Sequence, residues 1–417
     1  NRTWTIYLEP NATFFDGTRV TVQDVVASYE QARQNVYYKG RFTHIARVEL
    51  SSDGGVDFFL DTPYQNLALL LDIPIVKASE VTVDNPLGTG PYSLEDGIGG
   101  KHLQRVVGWW CSSDDLVAKD SSIALVEAES PSQIRDEFEF SGLSVVCTNP
   151  QTDSYADYRC DFELWEVDSG FMMYIGCNVT YSKFFDDGTL RTFLTYGIDR
   201  QTLVDDNYGG LALPTTLPIS PMSPYYSKSL ATNYDYDEMR FIDAASKFRV
   251  PTNDKGVPRT LQLLVNSDDS ARLRCARNIA ATLTELGLAC ETVESPTSVY
   301  EARLQAANYD IYLGITKLPT TADLSEFYRP WGEMSWGGLA NETIYNMVNQ
   351  SLADRGNYYN LHKLVADDGR IIPVMAGYYA IYAKRGVLSD LNPARDNVFY
   401  YTLGKTLESS KVATQFS

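Results

Sequence analysis

The chain has 417 residues, 44% of them hydrophobic, which is more than one compact core usually accommodates and favours two or three α/β-sized units. Its 35 basic and 54 acidic residues give a formal charge of −19, which repels nucleic-acid phosphates and anionic lipid headgroups, so we expect no nucleic-acid partner. The best apolar run, residues 67–76, is broken by Asp72 and Pro74 and falls short of the roughly 18 to 20 residues of a membrane span.

The first part of the chain has the pattern of a strand, a helix and a hairpin. Residues 4–8 predict a strand, and an Asp16-Gly17 turn follows it. Thr21 is placed to cap a helix, because Asp24 stands three residues on in the capping-box position and apolar residues recur at helical spacing. Residues 45–60 then alternate around an Asp-Gly-Gly turn, which predicts a β-hairpin.

A stretch dense in glycine and proline, residues 85–92, is too interrupted for a helix and predicts a domain boundary. The next 80 residues carry mixed short strands and loops. Their clearest feature is an apolar strand at residues 171–175 that leads to Asn178.

From residue 261 onward the pattern alternates between strand and helix. Acidic residues favour the N-terminus of the main helix, and Gly287 suits the position after its end. The alternation predicts a parallel sheet of right-handed βαβ units. The predicted elements are a strand at 261–265, a helix at 269–286, a strand at 289–293, a short helix near 300–306 and a strand at 310–315.

The six cysteines have no CxxC pair or zinc-ribbon spacing, which suits disulfides better than metal, although six buried thiols remain the alternative. We expect Cys275 to approach Cys290, because the helix bearing Cys275 returns into the strand bearing Cys290. The same reasoning suggests Cys147 with Cys160 across a short loop.

Four motifs in order resemble those of one family, the bacterial extracellular solute-binding proteins of the oligopeptide, dipeptide and nickel type (family 5). Residues 14–25 (FFDGTRVTVQDV) resemble its first block, and residues 87–92 (LGTGPY) are similar to its "VGTGPY" loop. Residues 190–200 (LRTFLTYGIDR) resemble "VRxALxYAIDR", and residues 371–374 (IIPV) resemble a late "YPIIP" strand. Together these motifs extend over nearly the whole chain.

The resemblance implies an α/β, two-lobed periplasmic-binding-protein-like fold of class II, with a hinge cleft and an extra small subdomain. It divides the chain into a subdomain at residues 1–88, a first-lobe core at 89–178 plus 378–417, and a second lobe at 179–377. Relatives carry a substantial segment before the first block, so either this chain is shortened at its start or its first lobe is reduced.

The resemblance also implies a function. The protein would be the extracytoplasmic component of an ABC importer, either a cell-surface lipoprotein or a periplasmic protein, and would capture small peptides or another small solute in the interlobe cleft. Its partner would be the ABC permease of the membrane. We expect a monomer with no cofactor, no metal and no catalytic residues.

Peptide-binding relatives often place a Trp-x-x-Asp segment after a strand, and its carboxylate pairs with the peptide's amino group. Residues 314–323 lack that Trp and acid at the usual place, so Asp323 is the candidate substitute, or else an ordinary exposed loop aspartate. An irregular segment after the sheet edge adds three aromatic candidates. The alternative role for these three is that of core or lobe-interface residues. The full set of candidate ligand contacts is Asn178, Trp110, Asp323, Tyr328, Trp331 and Trp336.

For two of these candidates a purely structural role is the alternative to ligand contact. Asn178 is equally suited to satisfying the backbone of the crossover strand, and Trp110 resembles an aromatic tail that is mainly structural in relatives.

Two other functions compete with peptide capture. A binding protein for oligosaccharide or another non-peptide solute would use stacked aromatic rings without charges for the termini, and a surface sensor would keep the scaffold without import. A hydrolase is disfavoured, because the three histidines (His44, His102 and His362) belong to no HExxH pair and the chain has no GxSxG elbow.

Overall fold

The protein is described by a computed structural model that covers residues 2–35, 37–97, 99–111, 120–140, 142–150, 158–395 and 404–405. The strands are β1 (Thr3–Ile6), β2 (Ile45–Leu50), β3 (Val56–Leu60), β4 (Tyr92–Gly97), β5 (Gly100–Arg105), β6 (Ser122–Ala124), β7 (Val145–Thr148), β8 (Phe162–Cys177), β9 (Leu213–Pro214), β10 (Leu261–Asn266), β11 (Cys290–Ser295), β12 (Ile311–Lys317), β13 (Ile371–Lys384), β14 (Leu388–Asp390) and β15 (Gly404–Lys405). The helices are α1 (Val22–Gln34), α2 (Pro131–Phe140), α3 (Thr189–Phe193), α4 (Arg200–Tyr208), α5 (Lys228–Ala231), α6 (Glu238–Lys247), α7 (Ser270–Glu285), α8 (Thr297–Gln305), α9 (Ser325–Tyr328), α10 (Glu342–Ala353) and α11 (Tyr358–Asp368).

The chain folds into two compact units. The first comprises residues 1–167 and 379–417, and the second comprises residues 168–378. Two long strands, β8 and β13, each begin in one unit and end in the other. The finer division at residues 88, 178 and 378 stays a prediction.

The first unit begins with an antiparallel sheet in the order β1-β3-β2, against which α1 packs. The predicted hairpin is confirmed as β2 and β3. The predicted capping box is also confirmed, since the Thr21 side chain accepts a hydrogen bond from the Asp24 amide and the Asp24 carboxylate accepts one from Thr21 N. Tyr29 of α1 meets Phe58 of β3 edge to face, with ring centroids 5.1 Å apart.

The first two sequence blocks pack against each other in this unit. Phe15 N donates to Gly88 O at 3.1 Å, and a Cβ at Gly88 would lie 3.0 Å from the Phe15 ring. A side chain at position 88 would therefore crowd the Phe15 ring, which would have to shift to admit it. These blocks have a packing role.

The core of the second unit is a sheet in the order β11-β10-β12-β8-β13. Strands β10, β11 and β12 are parallel, whereas β8 is antiparallel to β12. The predicted strands and helices from residue 261 are confirmed as β10, α7, β11, α8 and β12. The expected parallel sheet is thus correct for these three strands and does not extend to β8.

The third and fourth sequence blocks are joined through one buried guanidinium. Arg200 donates to Pro373 O at 2.8 Å, to Thr195 O and Ile198 O at 3.2 Å each, and to Thr195 Oγ1 at 2.8 Å. Burial lowers the pKa of Arg200 to about 10, so it stays protonated at neutral pH. Asp199 caps α4 by accepting the Thr202 amide. The "IDR" motif is therefore structural.

The cysteines are free thiols: Cys111, Cys147, Cys160, Cys177, Cys275 and Cys290. The expected Cys275–Cys290 and Cys147–Cys160 disulfides are therefore not formed. Cys275 lies ten residues before the end of α7, roughly 15 Å along the axis, whereas β11 starts beside that end. The ion pair between Arg277 of α7 and Glu294 of β11, at 2.7 Å, shows how the helix lies along the strand. Cys275 is therefore opposite the end of β11, whereas Cys290 is at its start. Cys147 lies on β7, where it pairs with Ile381.

Candidate functional site

The segment between β12 and α10, residues 318–341, contains four of the six predicted contact residues, and we call it the aromatic segment. It begins where Leu318 N donates to Gly170 O at 2.9 Å, near the point at which β8 enters the second unit. It later reaches the other end of β8, where Val179 N donates to Gly337 O at 2.9 Å. The segment therefore follows β8 for about 30 Å of strand.

Asp323 lies in the first part of this segment and is buried, with 8% of its surface exposed. Its Oδ1 accepts the Ser325 amide at 2.9 Å. Tyr358 of α11 fixes the loop by donating its hydroxyl to Thr321 O at 2.6 Å. Burial, and then the nearby Asp323 carboxylate, raise the pKa of Tyr358. Asp323 is thus a buried, hydrogen-bonded carboxylate and not an exposed loop residue.

Asn178 lies at the opposite end of β8 from Asp323, and the structure does not bring the two together. Its Nδ2 donates to Ala307 O and Tyr309 O, both at 2.8 Å, and its Oδ1 accepts the Tyr181 amide at 3.1 Å. The side chain is 1% exposed. Backbone groups therefore account for its hydrogen bonds, and its contact with a ligand stays a prediction without support from this geometry.

Trp331 is held on the surface by a tight loop. Its side chain is 96% exposed. Its φ of 63° is a left-handed conformation, which costs an L-residue roughly 1–2 kcal/mol. Glu326 closes the loop, since it pairs with Arg329 at 2.7 Å and accepts the Glu333 amide at 2.9 Å. The neighbouring Gly332 has no room for a Cβ because the Glu326 carbonyl fills that space. A large apolar ring is thus kept in water on a strained backbone.

Trp336 and Tyr328 take up less accessible positions. Trp336 is half-buried in a short turn, and Gly337 beside it packs so closely on Tyr309 that a Cβ would lie 2.6 Å from Tyr309 Oη. Tyr328 is fully buried, and its hydroxyl has no hydrogen-bond partner in the described part of the chain. Burial raises the pKa of Tyr328 well above its usual range. Tyr328 packs as a core residue.

Trp110 is the one predicted contact in the first unit. It and Trp109 both donate their indole N–H to Thr89 O, at 2.7 and 2.8 Å. The two rings lie 5.6 Å apart and are half-buried. The pair therefore fixes the glycine-rich block around Thr89, and its contact with a ligand stays a prediction.

The sequence interpretation missed two pockets of the second unit. The larger, about 480 Å³, is lined by an aromatic and acidic turn, residues 232–237, with Arg240 stacked 3.7 Å from the Tyr196 ring. At least one aspartate of this pocket already has a hydrogen-bond partner, since the Tyr234 hydroxyl donates to Asp367 at 2.5 Å. The sequence signal that could have indicated this pocket is the alternation of tyrosine and aspartate in residues 234–237. The smaller pocket, about 200 Å³, lies beside Asn178.

The family of the chain follows from comparison with known proteins. The family model of the bacterial extracellular solute-binding proteins, family 5 Middle, matches residues 1–338 of the sequence. The chain belongs to this family. No helix within the described ranges is long and apolar enough to span a membrane.

Particular relatives are distant. The glutathione-binding protein GsiB of Salmonella typhi is 24% identical over 255 residues, which cover 56% of this chain and 48% of GsiB, so the chain matches about half the length of this relative. NikA from Brucella suis, in complex with Fe(III)-EDTA, has a TM-score of 0.74 at 16% identity, with 97% of this chain and 88% of NikA covered. The oligopeptide-binding protein AppA from Bacillus subtilis, in complex with a nonapeptide, has a TM-score of 0.66 at 16% identity, with 97% and 87% covered. These likenesses establish the α/β, two-lobed fold of periplasmic binding proteins that the motifs predicted.

Proposed function

We propose that this protein is the solute-capturing component of an ABC importer and that it binds small peptides. The observation that carries the proposal is the family match over residues 1–338. Such a protein acts outside the cytoplasmic membrane, as a lipoprotein or a free periplasmic protein, delivers its solute to a membrane permease, works as a monomer and catalyses no reaction.

Two observations favour peptides among the solutes. GsiB binds glutathione and AppA holds a nonapeptide, as their names state. In this chain Asp323 is a buried carboxylate that follows a central strand, where a peptide's α-amino group would find a charge-assisted partner. Trp331 would pack on the peptide's side chains, whereas Trp336, whose neighbour Gly337 is bonded at the far end of β8, stays a prediction.

A non-peptide solute is the second candidate. Fe(III)-EDTA in NikA is such a solute, and a presented indole such as Trp331 suits a sugar ring as well as a peptide side chain. Asp323 distinguishes the two candidates, because a neutral sugar needs no carboxylate partner.

The test compares ligands on protein freed of bound solute by unfolding and refolding. Titration calorimetry would use a tripeptide, the same tripeptide acetylated at its N-terminus, and maltotriose. We expect the free tripeptide to bind and acetylation to weaken binding. Binding of maltotriose alone would favour the second candidate.

Asp323→Asn removes the proposed charge and keeps the shape of the side chain. We expect it to weaken free peptides by about tenfold or more and to spare acetylated ones, because a hydrogen bond between charged groups contributes about 1.5–3 kcal/mol. Asp254→Asn, at an exposed loop aspartate of the same unit, is the matched control and should change neither affinity. Equal losses for both peptides would place the amino-group contact elsewhere.

A further inference from the structure

The smaller pocket, about 200 Å³, lies at the end of β8 in the second unit, where Asn178 follows the strand. Because β8 enters this unit at Asp168 and rises about 3.3 Å per residue, the pocket lies about 30 Å further along the strand. Asp323 is near the other end. The pocket is therefore separate from the proposed amino-group contact.

The floor of the pocket is a closed polar network. Asp310 is buried, and its carboxylate accepts Ser182 Oγ at 2.5 Å and the Gln262 amide at 3.0 Å. Asn178 beside it donates to two backbone carbonyls. The floor thus has a fixed structure whose hydrogen bonds are already made within the protein.

The wall of the pocket carries two arginines, Arg259 just before β10 and Arg303 in the last turn of α8. Both are half-buried, and within the residues the structure describes neither side chain has a hydrogen bond or an ion pair. Arg277 of the same unit, by comparison, pairs with Glu294 at 2.7 Å. Two arginines against the single carboxylate of Asp310 leave the lining with net positive charge in a chain of charge −19.

Arg259 and Arg303 line the same pocket, so two positive charges share a space of about 200 Å³. Like charges that share so small a space repel each other, and the repulsion weakens as the salt concentration rises. An anion between the two groups would relieve the repulsion. Guanidinium groups also match the paired oxygens of carboxylate and phosphate.

We propose that this pocket binds a small oxyanion, a carboxylate or phosphate group held between Arg259 and Arg303. Asn308 and Tyr181, both exposed, also line the pocket and add uncharged hydrogen-bond donors. The volume suits one phosphate or a molecule the size of an amino acid, and it excludes a longer peptide. The pocket is thus a second site, independent of the proposed peptide site.

The test measures anion binding to the whole protein without peptide, by thermal shift and calorimetry at constant ionic strength. Sodium phosphate and sodium acetate are each compared with sodium chloride, so the response identifies the preferred oxyanion. We expect Arg259→Gln and Arg303→Gln each to weaken binding by about tenfold or more, because each removes a charge-assisted contact. Arg249→Gln, at an exposed arginine outside the pocket, is the matched control and should bind like the wild type.

Two results would overturn the proposal. One is the absence of any response to phosphate or acetate beyond that to chloride. The other is an equal response in the wild type and the two pocket variants. Loss of peptide binding by Asp323→Asn leaves the proposal untouched, so the two sites are tested separately.

Discussion

At the scale of single residues, Trp331 combines two features that both oppose stability: a left-handed backbone and an exposed indole. The Glu326 carboxylate and the closely packed Gly332 hold the loop in this form. Backbone strain of this kind persists where the surrounding contacts over-determine it, and it concentrates at binding surfaces.

Replacement of Trp331 by glycine separates stability from binding. We expect Trp331→Gly to raise the free energy of unfolding by roughly 1 kcal/mol, because glycine adopts a positive φ without strain. The same change should weaken ligand binding by about 2 kcal/mol, as loss of a buried aromatic anchor does. Urea unfolding and calorimetry measure the two effects.

Two exchanges serve as controls for this prediction. Ala307 also has a positive φ, of 48°, so Ala307→Gly should gain stability and leave peptide binding unchanged. Phe140→Ala, at an exposed ring on α2, should alter neither quantity by more than about 0.5 kcal/mol. Unchanged peptide affinity in Trp331→Gly would show that the ring serves some other surface.

His362 is fully enclosed on α11, and neither ring nitrogen has a hydrogen-bond partner in the described chain. Burial lowers its pKa to about 4 in the folded protein, against 6.5 for a free histidine. Between these values the unfolded chain binds more protons than the folded one. Stability is therefore complete above pH 6.5 and falls as the pH decreases towards 4, by up to about 3 kcal/mol.

This pH dependence is tested by urea unfolding between pH 4 and 7.5. His362→Leu should remove the contribution of this residue, so its stability should fall less steeply with decreasing pH than that of the wild type. Parallel curves for the two proteins would mean that His362 finds a proton acceptor or solvent in the folded state.

At the scale of elements, the sequence predicts what local chemistry decides. Capping and periodicity were sufficient for α1 and α7, whose signals lie within one helix. The antiparallel placement of β8 beside β12 depends on partners over 130 residues apart, which no local pattern records. The disulfide expectation failed for the same reason, since the alignment of α7 on β11 decides which residues meet.

The candidate site was predictable to a similar extent. Asp323 could be chosen by type and position, but its burial depends on how α11 covers the loop. Asn178 could be placed at the end of a strand, but the hydrogen bonds of its side-chain amide depend on the carbonyls of Ala307 and Tyr309. The two arginines of the smaller pocket carry no signal, because unpaired arginines are recognised only when distant side chains are known.

The start of α1 gives a test at this scale. Asp24 accepts Thr21 N and also the Ala78 amide, at 2.8 Å each, so it joins the helix to the following loop. Asp24→Ala should therefore destabilise the first unit by about 2 kcal/mol, and Thr21→Ala, which removes the cap alone, by about 1 kcal/mol. Glu30→Ala, at an exposed position of α1, is the control. Equal losses for Asp24→Ala and Glu30→Ala would contradict the joint role.

At the scale of the whole molecule, the two units differ in how they use the chain. The second is one continuous stretch, residues 168–378, whereas the first needs both ends of the chain. In the first unit Val145 on β7 pairs with Ala383 on β13, more than 230 residues later. Strands β10 to β12 pair within about 50 residues.

Refolding should reflect this difference. Loop closure is entropically easier for near neighbours, so we expect amides of β10 and β11 to become protected from hydrogen exchange before those of β7. Pulse-labelling during dilution from urea measures the order. Simultaneous protection of β7 and β10 would show that the two units fold as one cooperative body.

The divided first unit also has a consequence during translation. Residues 168–378 emerge from the ribosome as a complete set before the last stretch of β13 emerges. Strand β7 must meanwhile keep its hydrogen-bonding edge toward residues 380–383 unoccupied, although it was synthesised long before. A nascent chain in this state presents an open strand edge, which makes it a substrate for chaperones until synthesis of β13 supplies the partner.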